Sequence, residues 1–157
     1  MYLKIRYGFY SLFLVFATAV ICSYLVNTGL EGFYKILNKP LHTPDNHYFK
    51  IIWDALYIFL FLGFYTALVA DKTLDQALDL NVLFVLQLFL QILWCFSFFY
   101  MYQITVSAIV IVALDMVVAL SMHTLFFINL WSFCFFIPYL LWLLFATYLN
   151  VFLIFLN

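Results

Sequence analysis

Residues 131–156 read WSFCFFIPYLLWLLFATYLNVFLIFL and contain no charged side chain. A helix of about 20 apolar residues crosses the hydrocarbon layer of a membrane, so this run is long enough to span a bilayer. It also carries tryptophans, tyrosines and one asparagine, which packing against lipid does not require. The rest of the chain must explain why these aromatic and polar groups are present.

Composition places most of the chain in lipid. Hydrophobic residues make up 69% and charged residues 8% of the chain, against roughly 45–50% and about 25% in soluble domains. Charge, proline and asparagine divide the chain into apolar runs at residues 7–26, 47–69, 82–103, 105–127 and 131–156. Because lipid offers backbone groups no partners, each run is predicted to be helical. We therefore predict an all-α membrane protein, a single five-transmembrane-helix bundle formed by residues 1–157.

Net charge and motif content argue against several function classes. The formal net charge is −1, and without a basic patch no nucleic-acid partner is expected. The chain has no recognisable nucleophile–base pair, glycine-rich phosphate loop or His/Glu metal box, so we predict no catalytic residues and no metal site. The cysteines at positions 22, 95 and 134 lie in apolar runs and are predicted to be small core residues.

The connections between the runs differ in length. The first, residues 27–46, is long and polar, whereas the last two are so short that the helices they join should be antiparallel neighbours. In the acidic second connection, Leu74, Ala77 and Leu78 recur at helical spacing, which indicates an interfacial turn.

Two carboxylates lie inside apolar runs. Asp54 follows Lys50 by one helical turn, which favours a neutralised pair near the membrane interface over a proton-handling role. Asp115 lies in the middle of the fourth run without a basic neighbour. It is either bonded to a hydroxyl or amide of another helix, or it is part of a functional site.

Two helix faces combine aromatic and amide side chains. Gln87, Gln91, Trp94 and Phe98 share one face of the third predicted helix, which should point into the bundle because amides facing lipid are unfavourable. A face of the fifth helix is formed by Trp142, Phe145, Ala146, Leu149 and Asn150. Both faces fit either tight helix packing or the wall of a cavity for a flat, apolar ligand.

Three blocks of sequence resemble the TspO/MBR family, the translocator proteins and tryptophan-rich sensory proteins. The first is FYKILNKPLHTPDNHYFKIIWDALY at residues 33–57, and the second is QLFLQILWCFSFF at residues 87–99. The third, PYLLWLLFATYLN at residues 138–150, is the most specific. The likeness covers nearly the whole chain.

The resemblance implies a five-helix bundle, often dimeric, with an internal cavity beneath the first loop. The cavity of this family binds porphyrins, haem and related hydrophobic ligands. Pro40, His42 and Pro44 would belong to the loop that acts as its lid. The residues that would line or approach the ligand are Phe49, Ile52, Trp53, Tyr57, Gln91, Trp94, Trp142, Phe145, Ala146, Leu149 and Asn150.

Departures from the family pattern concern its tryptophans. His42 and His47 stand where the family commonly or often has tryptophan, and Asp54 replaces a small or hydroxylic residue. The loss at His42 weakens the case for light-dependent porphyrin degradation, which some bacterial members are reported to promote. Ligation of haem iron by His42 or His47 is the less favoured interpretation of these loop histidines.

The leading hypothesis is a membrane sensor, carrier or scavenger that binds a porphyrin- or haem-type tetrapyrrole and requires no cofactor. A porphyrin-degrading enzyme and a small transporter organised around Asp115 are the alternatives. Expected partners are the hydrophobic ligand, membrane lipid and, as an open alternative, a second copy of the chain. Residue usage favours a bacterial cytoplasmic membrane, with the mitochondrial outer membrane as the other choice.

Overall fold

The computed structural model describes residues 2–157, which form six α-helices and one π-helical turn. These elements are α1 (Tyr2–Leu30), α2 (Phe33–Ile36), α3 (Asn46–Val69), α4 (Leu74–Cys95), the π turn (Phe96–Tyr100), α5 (Ile104–Ile128) and α6 (Leu130–Leu156). α2 is a single turn within the first loop. The other five helices are long and apolar enough to cross a membrane. The predicted all-α, five-span fold is confirmed.

The spanning helices form a closed ring in the order α1, α3, α6, α5 and α4. Short connections make consecutive spans antiparallel. The C-terminal ends of α1, α4 and α6 therefore meet the N-terminal ends of α3 and α5 at one end of the bundle. The first loop and α2 cover this same end, which we call the loop end.

Large apolar side chains fill the centre of the bundle. Phe64 and Phe84 stack with their ring centroids 3.4 Å apart and an interplanar angle of 7°. Ile111, Leu114 and Leu143 are fully buried. These side chains come from α3, α4, α5 and α6, so four of the spanning helices meet at this point.

α4 begins earlier than hydropathy predicts. Thr73 and Gln76 form a capping box in which each side chain accepts a hydrogen bond from the other's backbone N–H, and this arrangement starts a helix at Leu74. Leu74, Ala77 and Leu78 thus lie in the first turns of α4. The turn predicted from their spacing is helical, and it is continuous with the spanning helix. Hydropathy detects the part of a helix that lies in lipid, and it does not detect polar turns that extend into water.

The expected pairing of Lys50 with Asp54 is absent. Among residues 2–157, the one ion pair within 4.0 Å joins Lys35 to Glu31 at 3.8 Å. Lys50 and Asp54 are both exposed on α3. One-turn spacing permits contact between two side chains, but their rotamers decide whether contact is made.

A glycine allows α1 to pack directly on the π turn. A Cβ atom at Gly29 would clash with the backbone oxygen of Phe99. Close approach of two backbones through a small residue is typical of helix packing in membranes. The π turn itself is closed by the Met101 amide, which donates to the Phe96 carbonyl at 2.9 Å. It turns Phe98 and Phe99 into the interior, where both are buried.

Candidate functional site

An internal cavity of about 170 Å³ lies at the loop end, enclosed by α1, α3, α4, the π turn and α6. Its walls are mainly aromatic and aliphatic. Trp53 and Trp94 contribute two indoles in contact, with ring centroids 5.9 Å apart and planes inclined by 32°. Because these indoles touch, a flat guest has to lie against the pair and cannot enter between them.

Most of the residues expected at the ligand do line this inner cavity. They are Phe49, Trp53, Tyr57, Gln91, Trp94, Ala146, Leu149 and Asn150. The predicted inward face of Gln87, Gln91, Trp94 and Phe98 is confirmed, since all four side chains are buried.

Three expected residues, Ile52, Trp142 and Phe145, are not part of the cavity wall. The Phe49 ring centroid lies 5.5 Å from that of Trp142 and 6.3 Å from that of Trp53. Phe49 therefore separates the Trp142 indole from the Trp53–Trp94 pair. Helical periodicity gives the direction in which Trp142 leaves α6, but the packing of α3 on α6 decides which neighbour it meets. The expectation that three indoles share one hollow therefore holds for two of them.

Gln91 supplies a polar group on the cavity wall. The Tyr139 hydroxyl donates to Gln91 Oε1 at 3.1 Å. Gln91 Nε2 is buried and has no hydrogen-bond partner among the described residues. A buried amide donor without a partner is unfavourable by about 1–3 kcal/mol. An acceptor atom of a bound molecule, or a water molecule, would satisfy it.

Asn150 binds three other groups of the protein. Its Oδ1 atom accepts from Trp94 Nε1 at 2.9 Å and lies 3.1 Å from the Ser107 hydroxyl, while Nδ2 donates to the Ile104 carbonyl at 3.1 Å. The side chain thereby joins α4, α5 and α6 and orients the Trp94 indole. Ser107, fully buried at the start of α5, was not identified from sequence, because a lone serine in an apolar helix carries no distinctive pattern.

The first loop closes the mouth of the cavity through Tyr34 of α2. Its ring lies 6.1 Å from Phe98 and 5.9 Å from Phe99, and Lys39 Nζ lies 4.1 Å above it. Burial raises the pKa of the Tyr34 phenol, which stays neutral. The loop is also joined to the end of α6, because the backbone N–H of Asn38 donates to Asn157 Oδ1 at 2.9 Å.

A second cavity of about 360 Å³ adjoins the inner one and shares Tyr34 and Asn46 with it. Pro40 and Pro44 of the expected lid line this outer cavity. His42 is exposed and lines neither of the two. The lid expected from the resemblance thus corresponds in part to a loop that borders the outer cavity.

Two of the cysteines belong to the cavity wall. Cys22 and Cys95 are buried and line the inner cavity, and the Cys22 thiol lies 3.9 Å from the Gln91 carbonyl. Cys134 is exposed on α6, so its predicted place in the core is wrong. Spacing along the chain did not indicate that Cys22 and Cys95 meet.

Asp115 lies away from the cavity, between α5 and α6. The Thr147 hydroxyl donates to Asp115 Oδ2 at 2.8 Å, which confirms the expected bond to a neighbouring helix. Asp115 Oδ1 and both amide atoms of Gln87 are buried without a partner in the described part of the chain. Residues 2–157 contain no group of three or more His, Cys, Asp or Glu side chains that could hold a metal ion.

Comparison with known proteins agrees with this architecture. Residues 11–156 match the TspO/MBR family. A tryptophan-rich sensory protein of Cereibacter sphaeroides is 30% identical over 145 residues, which cover 90% of this chain and 88% of the relative. The tryptophan-rich protein TspO of Archaeoglobus fulgidus is 29% identical over 140 residues, 89% of this chain and 90% of the relative.

The family match and the five spans lead to the same conclusion about the class of protein. Both support a multi-pass integral membrane protein, and the bacterial relatives support a bacterial membrane as its location. An aromatic cavity beneath the first loop is what the resemblance of the three sequence blocks implied. The chain belongs to the TspO/MBR family.

Proposed function

We propose that this protein binds a planar, largely apolar tetrapyrrole of the porphyrin or haem type and acts as a membrane sensor, carrier or scavenger. One observation carries the proposal. The cavity joins a pair of indoles, Trp53 and Trp94, to an unpartnered amide donor, Gln91 Nε2. The indoles offer stacking and dispersion to a ring plane, and the amide offers a hydrogen bond to a ring nitrogen or carbonyl.

The volume of the cavity requires a rearrangement on binding. Drug-sized ligands occupy clefts of roughly 300–1,000 Å³, whereas the inner cavity measures about 170 Å³. The outer cavity adds about 360 Å³ on the far side of Tyr34 and Asn46. A tetrapyrrole would therefore extend from the indole pair into the outer cavity and displace the Tyr34 ring.

Filling the inner cavity tests this proposal. Ala146 lines the cavity and is 3% exposed, so Ala146→Leu adds bulk without removing a hydrogen bond. In vesicles, protoporphyrin should quench the tryptophan fluorescence of the wild type saturably, and Ala146→Leu should weaken its binding at least tenfold. Ala119→Leu makes the same change at an exposed position of α5 and should bind like the wild type. Equal affinities for all three proteins would rule out this cavity as the site.

A light-dependent porphyrin-degrading enzyme is a second candidate, and the Trp53–Trp94 pair favours it. These indoles would lie against the bound ring, where an electron could pass from an indole to the excited porphyrin, so that the indole is oxidised and the porphyrin reduced. Illumination should then convert the bound porphyrin into a new absorbing species in the wild type, and Trp53→Phe should abolish the conversion. Trp142→Phe, which alters an indole outside the cavity wall, should leave it intact. The Asp115 transporter alternative has no such support, because Asp115 lies outside both cavities.

A further inference from the structure

The rim of the inner cavity carries two opposite charges on α3. Lys50 and Asp54 both line the cavity. One helical turn separates them, which corresponds to about 6 Å along the helix axis. Both side chains are exposed, and no ion pair joins them within the described residues. Ionisable groups within a membrane span are unfavourable unless they are partnered, and they mark candidate functional positions.

Among the residues that the structure describes, Lys50 and Asp54 are the only formally charged ones that line the inner cavity. The other polar groups at the mouth are neutral: the amides of Asn27 and Asn46 and the protonated phenol of Tyr34. Beyond them the wall is aromatic and aliphatic apart from neutral polar groups such as the amides of Gln91 and Asn150. The outer cavity carries its own charged residues, Lys39 and Asp45. A charge on the part of a bound molecule that lies in the inner cavity would therefore be recognised at Lys50 and Asp54.

The positive charge lies closer to the start of α3 than the negative charge. α3 begins at Asn46 beside the mouth, so Lys50 lies nearer to the mouth than Asp54. An anion is attracted at the outer position and repelled one turn deeper. A molecule with an acidic edge would enter with its apolar body first.

We propose that Lys50 and Asp54 form an orienting site for a ligand carboxylate. Lys50 binds the carboxylate at the mouth, and Asp54 prevents it from moving further into the cavity. The ligand class is thus a flat, apolar molecule with one or more carboxylates at one edge. This inference rests on the proposed binding function and adds the chemical group that sets specificity.

The experiment compares protoporphyrin with its dimethyl ester, which has the same ring but no ionisable carboxylates. Binding is measured by tryptophan quenching in phosphatidylcholine vesicles, and the ratio of acid to ester affinity is obtained for each variant. Because the ester partitions more strongly into lipid, only changes of this ratio between variants are interpreted. Loss of one exposed ion pair predicts that Lys50→Gln lowers the ratio about two- to fivefold.

Asp54→Asn should shift the ratio in the opposite direction, because it removes the repulsion of the carboxylate. A merely structural effect of either substitution would weaken binding of acid and ester alike and leave the ratio unchanged. Lys35→Gln is the matched control, since Lys35 is a cation at the same end of the bundle that lines neither cavity. It should retain the wild-type ratio.

The outcomes separate the two proposals. Saturable binding of both ligands, with a ratio that Lys50→Gln does not lower, overturns the orienting site and leaves the proposed function standing. A ratio that both α3 variants shift in the same direction also overturns it. If the wild type binds neither ligand, the proposed function fails, and the orienting site fails with it.

Discussion

Replacing Asn150 by leucine should destabilise the loop end of the bundle by a predictable amount. The side chain makes three contacts within hydrogen-bonding distance, with Trp94, Ser107 and Ile104, at 2.9–3.1 Å. Interhelical hydrogen bonds in membranes average about 0.6 kcal/mol each. Asn150→Leu should therefore lower the free energy of unfolding by about 2 kcal/mol, measured by denaturant-induced unfolding in mixed micelles.

A double-mutant cycle isolates the bond between Asn150 and the Trp94 indole. Trp94→Phe removes the N–H donor and keeps an aromatic ring in the cavity wall. We expect a coupling energy of about 0.6 kcal/mol, with about 1.7 kcal/mol as an upper bound. Additive effects of the two substitutions would refute the claim that Asn150 holds the indole in place. Trp131→Phe, at an indole that is 74% exposed, provides the uncoupled reference.

Three further predictions concern helix contacts and the mouth. Gly29→Ala should lower the unfolding free energy by about 1–3 kcal/mol. Gly8→Ala should not be destabilising, because a Cβ there would meet only an ordinary contact at 3.6 Å. Equal losses of stability in thermal unfolding would contradict the close packing of α1 on the π turn. Thr147→Val should destabilise the bundle by about 0.6 kcal/mol, while Asp115→Leu also removes a buried, unpartnered oxygen and should be less damaging in the same assay. Tyr34→Leu should accelerate protoporphyrin association in stopped-flow fluorescence at least severalfold, and an unchanged rate would show that the phenol ring does not obstruct entry.

Sequence patterns were sufficient for the spans, and the family resemblance added residues of the cavity wall on α3, α4 and α6, whereas the part of the wall formed by α1 was not predicted. Long apolar runs identify membrane helices because lipid excludes every other backbone conformation. The periodic face containing Gln91 and Trp94 indicated an inward surface because amides avoid lipid. The polar start of α4 at Leu74 was missed because that turn lies outside the apolar run.

Contacts between residues that are far apart along the chain could not be predicted from the sequence. Trp142 has the right periodicity for the cavity, yet Phe49 separates it from the inner indoles. Cys22 and Cys95 come together only because α1 packs against α4. Lys50 and Asp54 satisfy the spacing of an ion pair, but their charged atoms do not come within 4.0 Å of each other.

By itself, the sequence determined which segments lie in the membrane, that these segments are helices, and that the face of α4 with Gln91 and Trp94 turns inward. These properties depend on transfer of side chains and backbone groups from water to lipid, which each segment undergoes independently of its neighbours. Only the tertiary structure decided where the cavity lies, that Trp53 and Trp94 touch, and that Gln91 retains an unpartnered donor. Those features depend on how five helices pack, and packing is a property of pairs of surfaces that no single segment encodes.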